Sequence, residues 1–336
     1  MLGYVLRRMA MMVPSLIGIV VVTFILTRVL PGDPALMITG EQALPEFVDK
    51  VREQYGFDQP LYIQFWEYIK QLARGDLGFA WHTGHSVASD FASRFPATVE
   101  LTLASIFIAL IIALPMGVLA ASRKDSLFDH STRLLSLLGS SMPIFWLGLL
   151  LITLFYSKLG WLPAPVGRIS GDINPPTHVT GLYVVDSLLS WDMVALKDSL
   201  LHLLMPALCL SMGTMAVVTK MIRASMLEVV KQDFMRTAKA KGLSQGAVIY
   251  KHGLINSFIP TLTVLGLQFG YLLGGAVITE TIFVWPGIGN YVTESILAAD
   301  YAPIQAMTLI SAVLYGIINL IVELLYGALD PRVRYE

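Results

Sequence analysis

The chain has 336 residues, 55% of them hydrophobic and only 14% charged, with a mean hydropathy of +0.66 and a net charge of −1. A soluble domain carries nearer 25% charged residues and could not hide this much apolar surface, and a nucleic-acid binder needs a basic excess. A single cysteine, Cys209, excludes an internal disulfide framework and a cysteine metal cluster. The remaining class is an integral membrane protein. Its apolar runs are continuous, not alternating as in a β-barrel, so the expected fold is all-α.

Six stretches reach the roughly 20 residues that a helix needs to cross the bilayer core. They lie near Met9–Leu30, Ala97–Ala121, Leu134–Tyr156, Leu200–Ile222, Phe258–Val277 and Ile304–Tyr326. Arg7 and Arg8 precede the first run as in a signal peptide. The run is too long for a signal core, however, and Val29-Leu30-Pro31-Gly32-Asp33 lacks a cleavage pattern, so this span is expected to be retained. In the segment that follows, 31–96, Leu61, Phe65, Ile69 and Leu72 recur at helical spacing, with Gln64, Glu67, Lys70 and Gln71 between them. That pattern predicts an amphipathic helix lying on the membrane or capping the bundle. The loop 157–199 contains Pro163, Pro165, Pro175 and Pro176 and is expected to be irregular.

The chain thus divides into a tail with the first span (1–30), an extracytoplasmic helical segment (31–96), and a five-helix core (97–336) carrying an outer loop 157–199 and an inner loop 223–257. With the N-terminus inside, the inner segments and adjoining span ends hold 14 Lys/Arg against 6 Asp/Glu, and the outer ones 9 against 16. The positive-inside rule then places both termini in the cytoplasm.

The inner loop 223–257 is the most informative part of the chain. Good helix formers predict a helix over about Ala224–Ala240, and Gly242 is placed to end it. Met226, Val230, Phe234 and Ala238 would share one face, and Lys231, Arg236, Lys239 and Lys241 supply most of the charge. One reading is a basic helix resting on anionic lipid, at about 1 kcal/mol per cation. The small residues Thr237, Ala238, Ala240 and Gly242 favour another, because they let a second protein approach the backbone closely.

Asp233–Leu243, DFMRTAKAKGL, resembles the "EAA" loop of ABC-importer permeases in the form found in the dipeptide/oligopeptide/nickel subfamily. Three further segments resemble that subfamily: Leu6–Pro34, which opens LRRM and closes PGDP; MPIFWLG at Met142–Gly148; and TETIFVWPGIG at Thr279–Gly289. The likeness spans essentially the whole chain and is strongest to the first permease subunit of dipeptide transporters. One departure is Leu254-Ile255, where the general pattern has Leu-Pro; Pro260 comes later and leaves the end of the loop open.

The resemblance implies a type I ABC-importer permease fold with six transmembrane helices in a bacterial inner membrane. It implies a coupling helix seated in a groove of a cytoplasmic ATPase, with Asp233, Arg236, Thr237, Ala238, Lys239, Ala240, Lys241, Gly242 and Leu243 at or beside that contact. The implied partners are two ABC ATPase subunits that bind ATP and Mg, a second homologous permease forming a heterodimer, and an extracytoplasmic solute-binding protein. The substrate class is peptide, with glutathione and nickel complexes as alternatives, and no cofactor is expected on this chain.

No G-x-x-x-x-G-K-[ST] occurs, so an ATP site would lie on another chain; Leu243-Ser244-Gln245-Gly246 matches an ATPase signature peptide only superficially. The rival from another class is an ion-coupled carrier, which places ionisable groups mid-membrane. Glu100, Glu280 and Glu323 are the acids to consider, and each falls near a span end, where an interfacial or helix-terminal role is expected. A membrane enzyme has little support. There is no H-E-x-x-H, His82 and His85 are expected at the surface, Ser140 and Ser141 have no recognisable histidine partner, and His130, His178, His202 and His252 are scattered. On the fifth span Gly266, Gly270 and Gly274 form a small-residue ridge, suited to packing within the subunit or to an interface lining a path. Gln268 on that span, and less forcefully Asn319 on the sixth, would be satisfied by a water-filled path.

Overall fold

The structure is a computed structural model that describes residues 2–29, 34–40 and 42–329. Most of the Pro-Gly-Asp-Pro tetrapeptide and the last residues of the chain lie outside them. Described in chain order are α1 (Leu2–Val29), α2 (Pro34–Thr39), α3 (Pro45–Gln54), α4 (Leu61–Ala73), a short antiparallel hairpin β1 (Phe79–Ala80) and β2 (His85–Ser86), α5 (Val87–Ser122), α6 (Leu127–Ser141), α7 (Ile144–Leu151), α8 (Tyr183–Leu189), α9 (Met193–Val229), α10 (Asp233–Ala240), α11 (Ile255–Ile282), α12 (Ile288–Leu297) and α13 (Tyr301–Leu329). A π-helical turn, Ile152–Lys158, continues α7, and a second, Ala247–Leu254, leads into α11.

Four helices are long and apolar enough to cross a membrane unaided: Val5–Arg28, Val87–Ser122, Met193–Val229 and Tyr301–Leu325. The other two expected spans are bent pairs. Leu127–Ser141 and Ile144–Lys158 meet at 105°, and Ala247–Phe258 and Pro260–Leu272 at 53°. The span expected over Leu134–Tyr156 is therefore a broken one, two helices meeting at Met142-Pro143. Proline donates no amide hydrogen and pushes the residue before it out of helical geometry, and Met142 sits at φ −73, ψ 129.

The chain forms two compact units, the first comprising Leu2–Phe95 with Asn290–Gly316. Here α4 forms where the spacing predicts, and Phe65 and Tyr68 pack on Phe24 of α1 at centroid distances of 5.1 and 5.9 Å. Helices α2 and α3 close a small core of Ala35, Val48 and Val51. His82 is not a surface group: its Nδ1 lies 3.0 Å from Asp300 Oδ2, with 16% of its side chain exposed, and it pins the hairpin turn beside α12.

The second unit comprises Pro96–Gly289 and the chain from Ile317. Its axis is α9, whose 37 residues span about 55 Å, well beyond the roughly 30 Å hydrocarbon layer. Small residues let neighbours approach it, as lipid-embedded helices require. A Cβ at Gly117 on α5 would lie 2.7 Å from Ile222 Cγ2, and Gly139 on α6 faces Ala216 at 3.6 Å. Leu101, Leu203, Leu210, Leu272 and Trp285 form one buried cluster, and Val118, Val218, Ile222 and Met226 another.

The 157–199 loop is irregular through Leu182 but then forms α8, and α9 starts at Met193, upstream of the expected Leu200. Asp192 caps α9 by accepting from Val194 N and Ala195 N at 3.1 and 2.9 Å. Asp186 organises the loop by accepting from Thr180 N and Oγ1, Val179 N and Gly181 N at 2.7–3.2 Å. Burial alone would raise its carboxyl, but these donors outweigh it and hold it below the ordinary 3.8. A lowered folded-state value stabilises above the unfolded value and is lost as pH falls through the folded one. The amides of Val179–Gly181 should therefore be protected from hydrogen exchange at neutral pH, and that protection should vanish only in acid below the ordinary aspartate range. Protection unchanged in Asp186→Asn at neutral pH would refute this role.

Candidate functional site

The inner loop is two helices, not the single one expected over Ala224–Ala240. After Val229 the chain turns through 230–232 and restarts as α10 with Asp233 in its first turn. The turn breaks the expected stripe: Met226 is fully buried and Ala238 nearly so, but Val230 and Phe234 are 37% and 41% exposed. The buried face of α10 is Met235 with Ala238, packed on Val248 and Val229. A Cβ at Gly253 would meet Met226 Cε at 3.1 Å and Met235 Cε at 3.4 Å, so the missing side chain admits both methionines.

Everything else on α10 faces outward. Asp233, Arg236, Thr237, Lys239, Ala240, Lys241, Gly242 and Leu243 are exposed, and Ala238 is turned inward. Arg236 Nη1 lies 3.5 Å from Asp233 Oδ1, but both side chains are largely solvated, so the pair adds little stability. Thr237 Oγ1 donates to Asp233 O at 3.0 Å. Gly242 has φ +76 and its amide donates to Lys239 O at 3.0 Å, the left-handed helix ending for which glycine is suited. Nothing lies within 4 Å of where its Cβ would be. Ser244 Oγ accepts from Ala247 N at 3.3 Å, so the Leu243–Gly246 peptide serves to start the next helix.

Upstream of α10, on α9, Arg223 grips the fully buried Asp129 of α6 through two atoms, Nε at 2.5 Å and Nη2 at 2.7 Å. Lys220 Nζ donates to Ser140 Oγ at 3.3 Å along the same pair of helices. The stem of α10 and the helix before the Pro143 break are thus joined by charge as well as by packing.

Among the residues expected on a path, Gly266 packs inside the unit: its Cβ would meet Val322 Cγ2 of α13 at 2.8 Å. Gln268 Oε1 accepts from buried Thr214 Oγ1 of α9 at 3.2 Å. Gly270 and Asn319 are half-buried on α11 and α13. The surroundings of Gly274 lie outside the described residues.

Glu100 and Glu280, expected in an interfacial or helix-terminal role, are both buried and partnered, and Glu280 is helix-terminal as expected. Arg168, from the 157–199 loop, reaches Glu100 Oε2 at 2.5 Å, donates to Gly181 O at 2.8 Å, and lies over the Tyr183 ring at 3.7 Å. Glu100 Oε1 also accepts from Val184 N at 2.8 Å. Glu280 sits in the last turn of α11 and accepts from Thr98 Oγ1 at 2.6 Å; Thr98 Oγ1 in turn accepts from Ile288 N at 2.8 Å. Trp285 Nε1 donates to Ala97 O at 2.9 Å. Glu323 lies half-buried in α13. The TETIFVWPGIG segment is therefore a tight turn strapped to α5, with Val284 held at φ +46, a strained geometry for a β-branched residue.

Gly287 and Gly289 make that turn possible. A Cβ on Gly287 would run into the Glu280 carboxyl, and one on Gly289 would lie 2.5 Å from Val277 Cα, which cannot swing aside as a side chain can. Gly289→Ala is therefore expected to lower the melting temperature of the detergent-solubilised protein by several degrees, about 1–3 kcal/mol of overpacking. Gly213→Ala on α9, with nothing within 4 Å, is the control. Equal melting of the two variants would contradict the packing described.

Two family descriptions cover most of the chain. The binding-protein-dependent transport system inner membrane component matches residues 113–335, and the N-terminal membrane component of the same systems matches 1–102. Among similar proteins, the dipeptide transport system permease protein DppB of Alkalihalophilus pseudofirmus is 44% identical, covering 100% of both chains. The di/tripeptide transport system permease protein DppB of Pseudomonas aeruginosa is 43% identical and the glutathione transport system permease protein GsiC of Escherichia coli 39%, each over the full length of both chains. In fold, the chain is similar to the inward-facing MetNI methionine ABC transporter, with a TM-score of 0.51 at 14% identity over 70% of this chain and 93% of that one.

Proposed function

The chain belongs to the family of binding-protein-dependent transport system inner membrane components, and on that premise we propose that it is the permease subunit of an ATP-driven importer of dipeptides and short peptides. It is a multi-pass inner membrane protein and a transport subunit, not an enzyme. In this reading both termini face the cytoplasm, as the charge asymmetry favours.

The observation that carries the mechanism is α10: a short helix that buries Met235 and Ala238 against its own chain and leaves its other residues exposed. We assign it as the coupling helix, seated in a groove of a separate ATPase subunit that binds ATP and Mg. Asp129–Arg223 then carries displacement of α10 from α9 into α6 and to the break at Pro143, a rigid element delivering motion to a hinge. Two ATPases below, a second, homologous permease alongside and a solute-binding protein outside complete the machine. Loaded binding protein docks, ATP binding closes the ATPases and opens the path outward, and hydrolysis resets it inward. Gly270, Gln268 and Asn319 are proposed to border that path.

The peptide substrate class rests on the names of the full-length relatives, which include dipeptide, di/tripeptide and glutathione systems. The experiment is reconstitution in proteoliposomes. This chain alone should be inert under an ion gradient, and with its partners should take up a labelled dipeptide only when ATP is supplied. Ion-driven uptake by the chain alone would establish a carrier instead, and uptake of glutathione to the exclusion of dipeptides would move the substrate.

A further inference from the structure

Two recesses at the C-terminal end of α1 have no part in that reading. The first is a cavity of about 1100 Å³, walled by Tyr55, Phe57, Tyr68 and Trp81 and entered by Arg28. The second is a groove of about 440 Å³ running down α1 from Thr27 past Leu26, Val22 and Gly18 to Ser15, with Ile304 and Thr308 of α13 as its far wall. Thr27 lines both, so the two recesses adjoin at that residue.

Among the described residues, Arg28 is a cation without a counter-ion. Its guanidinium lies 5.6 and 5.3 Å from the Phe24 and Phe57 rings, its Nε is buried without a hydrogen-bond partner, and no carboxylate among the described residues pairs with it. A buried donor left unmet costs about 1–3 kcal/mol, and a planar guanidinium is suited to a phosphate. Glu53 and Glu67 line the same cavity, so a purely anionic guest would meet like charge, whereas a zwitterion finds both partners. The groove is apolar, and from Ser15 to Thr27 it follows about 18 Å of helix at 1.5 Å per residue. That is roughly the depth of one leaflet of the hydrocarbon core. Exposed Tyr62 and Trp66 on α4 mark the level of the headgroups, where aromatic side chains gather.

We propose that this pair of recesses is a phospholipid site: the phosphate of a zwitterionic headgroup on Arg28, its ammonium toward Glu53 and Glu67, and one acyl chain along Gly18 and Val22. A bound peptide would satisfy the cavity but leave the groove empty.

Native mass spectrometry tests this on the full chain taken from nanodiscs of phosphatidylethanolamine and phosphatidylglycerol. One phosphatidylethanolamine should remain bound per chain. Arg28→Gln should lower its occupancy about tenfold, the equivalent of one charge-assisted hydrogen bond, and Arg28→Lys should restore most of it. Gly18→Leu should lower it comparably by filling the groove; nothing lies within 4 Å of that position, so the fold should tolerate the change. Equal retention in wild type and both lowering variants overturns the site. So does selective retention of phosphatidylglycerol, displacement of the lipid by added dipeptide, or cross-linking of Gly18→Cys to a second permease.

Discussion

Gly242→Trp is expected to abolish ATP-driven uptake while leaving membrane insertion and the fold of this chain intact. The substitution separates the two consequences cleanly because of where Gly242 sits. At φ +76 a side chain costs about 1 kcal/mol of local strain, a small fraction of the stability of a protein this size. Nothing of this chain lies within 4 Å of the new Cβ, so the indole projects from the end of α10 into whatever faces it. If that is the groove of an ATPase, a ring displaces the close contact that Ala240 and Gly242 otherwise allow, and the ATPases detach or turn over without transport. Three measurements check this: the melting temperature of the purified chain, co-purification of the ATPases, and ATP-driven uptake of dipeptide. Gly246→Ala, equally open, should leave all three unchanged. Full uptake by Gly242→Trp would remove α10 from the coupling surface.

Much of this element was legible because its signal is local. Helix formers, a terminal glycine and a run of small and basic residues lie within a few positions of one another, and so does the spacing that marks α4. What the sequence hid is tertiary or masked by composition. Met142-Pro143 marks a turn, but its 105° angle lies within an apolar run over which hydropathy averages. The turn at 230–232 moved the buried face of α10 from Phe234 to Met235, a one-residue change of phase that no periodic pattern continued from α9 could anticipate. The burial and the partners of the acids were hidden for a different reason. Glu100 is near a span end, but its partner Arg168 is 68 residues away, and Trp285 bonds Ala97 across 188. The Pro-rich composition of 157–199 indicated an irregular loop, but not that the loop delivers an arginine to a buried carboxylate. Gly287 and Gly289 offered a signal in principle, since a glycine pair beside a buried acid marks close backbone approach.

Arg168→Met should be strongly destabilising. Both side chains of the Glu100–Arg168 pair are 7% exposed, and their closest atoms are 2.5 Å apart. Removing the arginine leaves a buried carboxylate with, among the described residues, only Val184 N to answer it, and breaking such a pair costs about 3–5 kcal/mol. It also frees Gly181 O and the Tyr183 ring, so the loop should loosen together with the bundle. Because the penalty comes from the stranded charge and not from the lost attraction, Glu100→Gln in the same chain should recover part of it: a neutral amide can still accept from Val184 N at lower desolvation cost. The expected order of melting temperatures is therefore wild type, then the double variant, then Arg168→Met alone. Protease nicking of 157–182 in the intact membrane should follow the reverse order. If the double variant is no more stable than Arg168→Met, the pair contributes through packing alone, and the tie between loop and bundle rests instead on Gly167 N donating to Val284 O and Ser170 N donating to Asp198 of α9.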